Sequence, residues 1–213
     1  MSSMASSVTI PTSSPVLQTT VESARDKTAG TTPNANIKWD NFNYPPLIKL
    51  IHYDPNEIED LATRSLVKKI NLTFVLNLVV SLINFLNSIA QVAVGFTGLR
   101  ILFSVLNILI FVPVTLFTFY KGYRGLVYDR RQLRYYYVGQ FACAVVFLIF
   151  SIISGGNYNG WTRLGVLFDN GHVFQGLLAI VESLLYTFNS ALCAYCLFEV
   201  YRSKDPSPVD NRL

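Results

Sequence analysis

Apolar residues gather into four long runs, at about 70–94, 99–119, 135–154 and 172–198. Each is close to or above the ~20 residues that a helix needs to cross a bilayer. Polar residues interrupt the runs with a helical period. In the first run Asn77, Ser81, Asn84, Ser88 and Gln91 are spaced 4, 3, 4 and 3 apart, which draws a polar seam along one helix face. Such groups need partners in hydrocarbon, so the seam is expected to turn inward against the other helices. In the fourth run Glu182, Tyr186, Asn189, Cys193 and Cys196 share a face in the same way. Pro113 lies mid-way through the second run, where the lost backbone donor predicts a kink. Gly95-Phe96-Thr97-Gly98 reads as a tight turn, and residues 155–171 as a short Gly/Asn-rich loop with Trp161 as an interfacial anchor. The predicted fold is an all-α integral membrane protein with four transmembrane helices.

Before the spans the pattern changes. Residues 1–36 are rich in Ser, Thr, Pro and Ala and predict a disordered tail, open to phosphorylation by composition alone. They hold no continuous apolar core, so the first span is expected to serve as its own insertion signal. Residues 37–69 form a second unit. Trp39, Phe42 and Tyr44 lead into Pro45-Pro46-Leu47, a stiff aromatic segment expected to lie against the membrane or the adjoining helices. Asp54-Pro55-Asn56-Glu57 has the form of a capped helix start, with Glu57 reaching back. Ile58, Leu61, Ala62 and Leu66 on one side, with Arg64, Lys68 and Lys69, predict an N-terminal amphipathic helix running into the first span; the alternative is a plain stem of that span. Residues 70–198 make the membrane domain, and 199–213 a polar tail with Pro206 and Pro208.

Composition supports this reading. With 51% hydrophobic residues, 14% charged residues and a mean hydropathy of +0.37, the chain is too apolar for a soluble domain, in which about a quarter of residues carry charge. The net charge of +4 is modest, so its placement matters more than its sum. The stretch 119–134 carries Lys121, Arg124, Arg130, Arg131 and Arg134 against one acid, Asp129, interleaved with Phe119, Tyr120, Tyr123 and Tyr128. Its cations suit an anionic leaflet, gaining about 1 kcal/mol each, and its rings suit headgroup depth; the alternative is that they set topology only. Arg64, Lys68, Lys69, the five of the link, Arg202, Lys204 and Arg212 would share one side, against Arg100 and Arg163 on the other. That bias predicts cytosolic termini and a cytosolic link. Arg100, at the start of the second span, is expected to snorkel to the interface. The sequon at Asn71-Leu72-Thr73 is then unused. Basic groups beside spans argue against nucleic acid as a partner.

Little of this looks catalytic. Glu182 is the one carboxylate deep in a span, and an intramembrane acid is by default a candidate proton or ion group. Without a matching intramembrane cation it reads rather as a lock between the fourth helix and the seam of the first, with a small transporter or channel as the alternative. Cys193 and Cys196 form a CxxC inside an apolar helix without a second ligand pair, which favours packing over metal or redox chemistry. His52 and His172 fall on opposite sides of the membrane. No nucleophile with a base and no phosphate-binding glycine loop is present, so neither an enzyme nor a bound cofactor or metal is expected.

Several of these residues together resemble the secretory carrier-associated membrane protein family. The resemblance spans about 43–202. It rests on Asn43-Tyr44-Pro45-Pro46-Leu47 ahead of the spans, on Leu109-Ile110-Phe111-Val112-Pro113, and on Gly160-Trp161 before the last span. In the link, Phe119, Tyr120 and Lys121 match the opening of the family's amphipathic peptide, and Tyr123 with Arg124 its continuation. Gly122 stands where the family has proline and Phe119 where it has tryptophan; the peptide looks one residue shorter, and there is no Asn-Pro-Phe motif. The resemblance implies a non-enzymatic component of trans-Golgi, recycling-endosome or secretory-vesicle membranes, acting in exocytosis, recycling and protein transport. Its implied partners are anionic lipids, phosphoinositides included, and trafficking proteins, with a homo-oligomer left open.

Overall fold

The computed structural model describes residues 37–203; the expected disordered tail at 1–36 and residues 204–213 lie outside the described residues. Four long helices form a bundle: α1 (Leu61–Ala93), α2 (Leu99–Val127), α3 (Leu133–Ile152) and α5 (Val173–Arg202). A short helix, α4 (Leu164–Asp169), precedes the last of them. All four long helices are long and apolar enough to cross a membrane. α1 packs chiefly on α2 and α5, and α3 packs on the same two. The short links between α1 and α2 and between α2 and α3 make those neighbours antiparallel. Leu72, Leu82, Phe117, Val138, Leu148 and Phe188 are among the large apolar side chains left exposed, as a lipid-facing surface requires.

The helices overrun the apolar runs. α1 begins at Leu61, well ahead of Ile70, and α2 continues past Phe119 to Val127. Hydropathy marks where a helix leaves hydrocarbon; only a cap or a breaker marks where its backbone turns stop. α2 also runs through Pro113 without interruption.

The N-terminal amphipathic helix expected to run from Asp54 into the first span is not formed as such. Pro55–Glu57 is a single 3-10 turn, capped by Asp54 through its bond from the Asn56 N–H (2.8 Å). Glu57 does not reach back; its Oε2 lies 2.7 Å from Nε2 of the buried His52. Ile58 is drawn into the core in an extended conformation, which ends the turn. The helix restarts at Asp60, whose carboxylate accepts from the Thr63 N–H (2.9 Å), the Thr63 hydroxyl (2.6 Å) and the Ala62 N–H (3.3 Å). Ile58 and Leu66 point inward while Leu61 and Ala62 are exposed, so the expected apolar face splits. Residues 61–69 are the stem of the first span.

The Asp60 carboxyl sits below its ordinary range, chiefly through the Thr63 hydroxyl bond. A depressed carboxyl contributes stability that is present above its unfolded pKa of about 4 and lost as pH falls through the folded value. Asp60→Ala is expected to cost about 1 kcal/mol in denaturant unfolding in micelles.

Residues 37–53 form a strap across the ends of α1 and α2. Trp39 packs its ring on Tyr120, Tyr123 and Tyr128. Tyr53 packs on Phe119 and Tyr123, and Tyr44 on Phe119 and Phe74. Tyr44 donates its hydroxyl to the Asn71 amide oxygen (2.8 Å), which engages the sequon asparagine in packing. Burial raises the Tyr44 phenol above its ordinary value and pushes Tyr53 up to about 12.

The loop between α3 and α5 is more ordered than a Gly/Asn-rich composition implies. β1 (Ser154–Gly155) pairs antiparallel with β2 (Tyr158–Asn159), Ser154 opposite Asn159 and Gly155 opposite Tyr158. Gly156, at φ +54°, supplies the left-handed residue of the two-residue turn. The turn folds inward: Asn157 and Asn159 are both buried, and Tyr158 stacks on Phe150. Trp161 remains partly exposed and donates its indole N–H to Thr187 Oγ1 (3.3 Å).

Candidate functional site: an arginine rim and a buried carboxylate

The two ends of the bundle carry different chemistry. At one end α2 turns into α3 through a 3-10 turn, Arg130–Gln132. Asp129 caps it by accepting the Arg131 N–H (3.0 Å), and that bond is the main reason its carboxyl lies below the ordinary range. The turn is tight because residue 125 is glycine. A Cβ there would lie 2.6 Å from Leu133 Cδ2 and 2.9 Å from the Leu133 nitrogen.

The five cations of the link fall into two groups. Lys121 donates to Gln132 Oε1 (2.8 Å) and lies over the Phe117 and Tyr135 rings. Arg124 sits among three rings, 5.3 Å from the centroid of Trp39 and 5.6 Å from those of Tyr120 and Tyr128. Both are thus engaged in holding the strap and the turn. Arg130, Arg131 and Arg134 are exposed. With Tyr135, Tyr137 and Val138 they line a shallow hollow of about 670 Å³ beside the lipid-facing surface of α3.

The aromatic half of the expected lipid contact is corrected by the same geometry. Phe119 and Tyr123 are buried within the protein, stacked on each other and covered by the strap. They lie on a helix rather than in a loop, and the helical period turns them inward toward α1 and residues 37–53. Tyr120 is half-buried beneath Trp39, and Tyr128 is exposed at the end of α2.

At the other end lies Glu182, fully buried. Its Oε1 accepts from Asn84 Nδ2 (2.7 Å) and the Asn159 N–H (3.3 Å). Its Oε2 accepts from Asn159 Nδ2 (2.9 Å) and Asn87 Nδ2 (3.2 Å). Asn159 is the hub. Its Oδ1 accepts from Arg100 Nη2 (2.6 Å) and Gln91 Nε2 (2.8 Å), and its backbone oxygen accepts from Ser183 Oγ (2.8 Å). Asn157 adds bonds from its amide to Asn84 Oδ1 (2.7 Å) and Ser104 Oγ (3.1 Å). The hairpin is thereby pinned to α1, α2 and α5 at once.

Arg100 does not snorkel. It is buried, and its guanidinium meets the carboxylate of Glu182 through Asn159. Arg100 is thus the intramembrane cation matched to Glu182. Seam residues Asn77, Ser81, Asn84, Ser88 and Gln91 are all buried. Asn77 bonds Thr115 Oγ1 (2.9 Å) and the Phe111 carbonyl (3.2 Å), and Ser88 bonds Ser104. Asn189 is buried one turn from Cys193, with Nδ2 unpartnered. Cys193, Cys196 and Cys143 are free and buried. The described residues hold no group of His, Cys, Asp and Glu placed to ligate a metal.

Sequence reasoning missed Asn87, Arg100, Asn157 and Asn159 as members of this centre. One signal was available: Arg100 and Glu182 both lie within the apolar runs, and burial of each requires an opposite charge or a relay of amides. Asn159 in β2 supplies that relay, and Asn157 in the turn braces Asn84 and Ser104 beside it.

Four apolar helices in one bundle, with polar side chains turned inward and apolar ones outward, define a multi-pass membrane protein. The model of the SCAMP family matches residues 41–207, and the chain belongs to that family. Comparisons with curated proteins and with solved structures gave no match.

Proposed function

We propose that this protein is a non-enzymatic component of post-Golgi, secretory-vesicle or endosomal carrier membranes, acting in trafficking and recycling by holding anionic lipid at its arginine rim. The rim faces the cytosol, with both ends of the chain on that side. The observation that carries the reading is the separation of the cations. Lys121 and Arg124 are committed to protein partners, while Arg130, Arg131 and Arg134 stand exposed around a hollow that borders the lipid-facing surface. Guanidinium groups suit phosphate through paired donors, and phosphoinositide headgroups concentrate phosphate at this depth. Trafficking proteins, or a second copy of the chain, would be recruited around that lipid.

The alternative, a transporter or channel centred on Glu182, gains no support from the geometry, since both carboxylate oxygens are filled by donors from α1 and the hairpin. The test is enrichment of fluorescent phosphoinositide around the full-length protein in nanodiscs, read by energy transfer. Each alanine at Arg130, Arg131 or Arg134 should weaken enrichment about fivefold, and the triple variant should compound the loss, at about 1 kcal/mol per cation. Unchanged enrichment in the triple variant would refute the assignment.

A further inference from the structure

The strap carries a feature that the rim does not use. Between the paired residues Tyr44 and Ile51 the chain makes a narrow hairpin whose tip exposes Leu47 by 98%, Ile48 by 66% and Leu50 by 54%. Three large aliphatic side chains within four residues, so little covered, are costly in water.

The placement of the strap bears on what covers them. Its aromatic contacts step along the bundle in order. Trp39 lies on the last turns of α2, at Tyr120, Tyr123 and Tyr128; Tyr53 lies on Phe119 and Tyr123; Tyr44 lies on Phe119 and Phe74 and bonds Asn71. Tyr44 has thus reached the level at which Leu72 of α1 and Phe117 of α2 turn outward as exposed apolar residues. The tip springs from Tyr44 at that level, through the Tyr44–Ile51 bridge.

The backbone is prepared for such a place. Pro45 and Pro46 have no N–H to satisfy. Ile48 and Lys49 donate to the Pro45 carbonyl (3.1 and 2.8 Å), and Leu50 and Ile51 both donate to the Tyr44 carbonyl (2.9 Å). These bonds pair the N–H groups of residues 48–51 internally, which suits the acyl edge, where headgroup acceptors and water still reach the Leu47 N–H. Lys49, in the left-handed conformation at φ 51°, sits between Ile48 and Leu50, and its long stem allows the ammonium to reach back to phosphate depth.

We propose that the Pro45–Leu50 tip is a leaflet-inserted finger, seating Leu47, Ile48 and Leu50 in the acyl edge of the leaflet that the arginine rim faces. The inference rests on the four-span membrane fold and does not depend on which headgroup the rim binds. The finger would fix the strap, and through Trp39 and Arg124 the rim turn, relative to the bilayer surface.

A nitroxide at Leu47→Cys tests this in the full-length protein, reconstituted in phosphatidylcholine–phosphatidylserine nanodiscs without other proteins. Labels at Leu82→Cys (lipid-facing) and Glu59→Cys (exposed at the polar end) are the references. Wild-type protein carried through the labelling gives the background from the buried native cysteines. The expected result is a ratio of oxygen to nickel-chelate collisions several-fold above that at Glu59 and below that at Leu82, which lies mid-span. An Ile48→Cys label should behave alike, which separates insertion from a local distortion at one site. Nickel accessibility at both tip positions equal to that at Glu59 would overturn the proposal and leave the tip for a protein partner.

Discussion

Tyr123→Ala is expected to destabilise the folded protein by about 3–5 kcal/mol, the range for a large buried aromatic truncated to alanine. Tyr123 is fully buried, with Trp39, Tyr53 and Phe119 around its ring. The truncation opens a cavity where the strap meets α2, and the rigid helix backbones cannot collapse into it. Denaturant unfolding in micelles measures the loss. The arginine rim provides the contrast, because Arg130, Arg131 and Arg134 are exposed and alanines there should change stability little. A Tyr123→Ala protein as stable as wild type would show that the ring lies at the membrane interface instead of inside the protein.

Asn159→Ala is expected to cost about 2–4 kcal/mol and to loosen the hairpin end as a unit. The substitution removes four side-chain hydrogen bonds, to Gln91, Arg100, Asn157 and Glu182. At the ~0.6 kcal/mol typical of a hydrogen bond between membrane helices, those account for a little over 2 kcal/mol. The rest comes from leaving the Arg100 guanidinium buried without its acceptor and the Glu182 carboxylate short of a donor. Asn157→Ala, which loses only the bonds to Asn84 and Ser104, should cost less. Hydrogen exchange should show the larger change in Asn159→Ala, spread over 154–163 and the adjoining ends of α1 and α5. Equal effects of the two substitutions would mean that Asn159 is not the hub.

The parts of this fold that could be read from the chain are those set by solvent. Runs of apolar residues located the four spans, and the polar seam from Asn77 to Gln91 located the inward face of α1, since hydrocarbon tolerates few other arrangements. Helix ends were less legible. The Asp54–Glu57 pattern carries a good start signal, but a second cap at Asp60 and the burial of Ile58 compete with it, and tertiary packing decides. Phe119 and Tyr123 were misplaced for a related reason. An aromatic residue beside cations suits both a headgroup layer and a protein core, and only the strap, distant in sequence, determines which. The buried centre was half visible. Glu182 and the seam stand out, whereas the relay through Asn157 and Asn159 depends on a loop folding inward, which no local pattern encodes.

The proposed lipid contact of the rim rests on the exposed Arg130, Arg131 and Arg134. The most direct measurement compares tagged wild-type protein with the Arg130→Ala, Arg131→Ala, Arg134→Ala triple variant in cells, scoring membrane insertion, steady-state distribution and recycling rate. The predicted result is normal insertion with both proteins, wild type on Golgi-derived or endosomal carriers, and the triple variant redistributed and slower to recycle. A correctly inserted triple variant with wild-type distribution and wild-type recycling would contradict the account and reduce the arginines to topology signals.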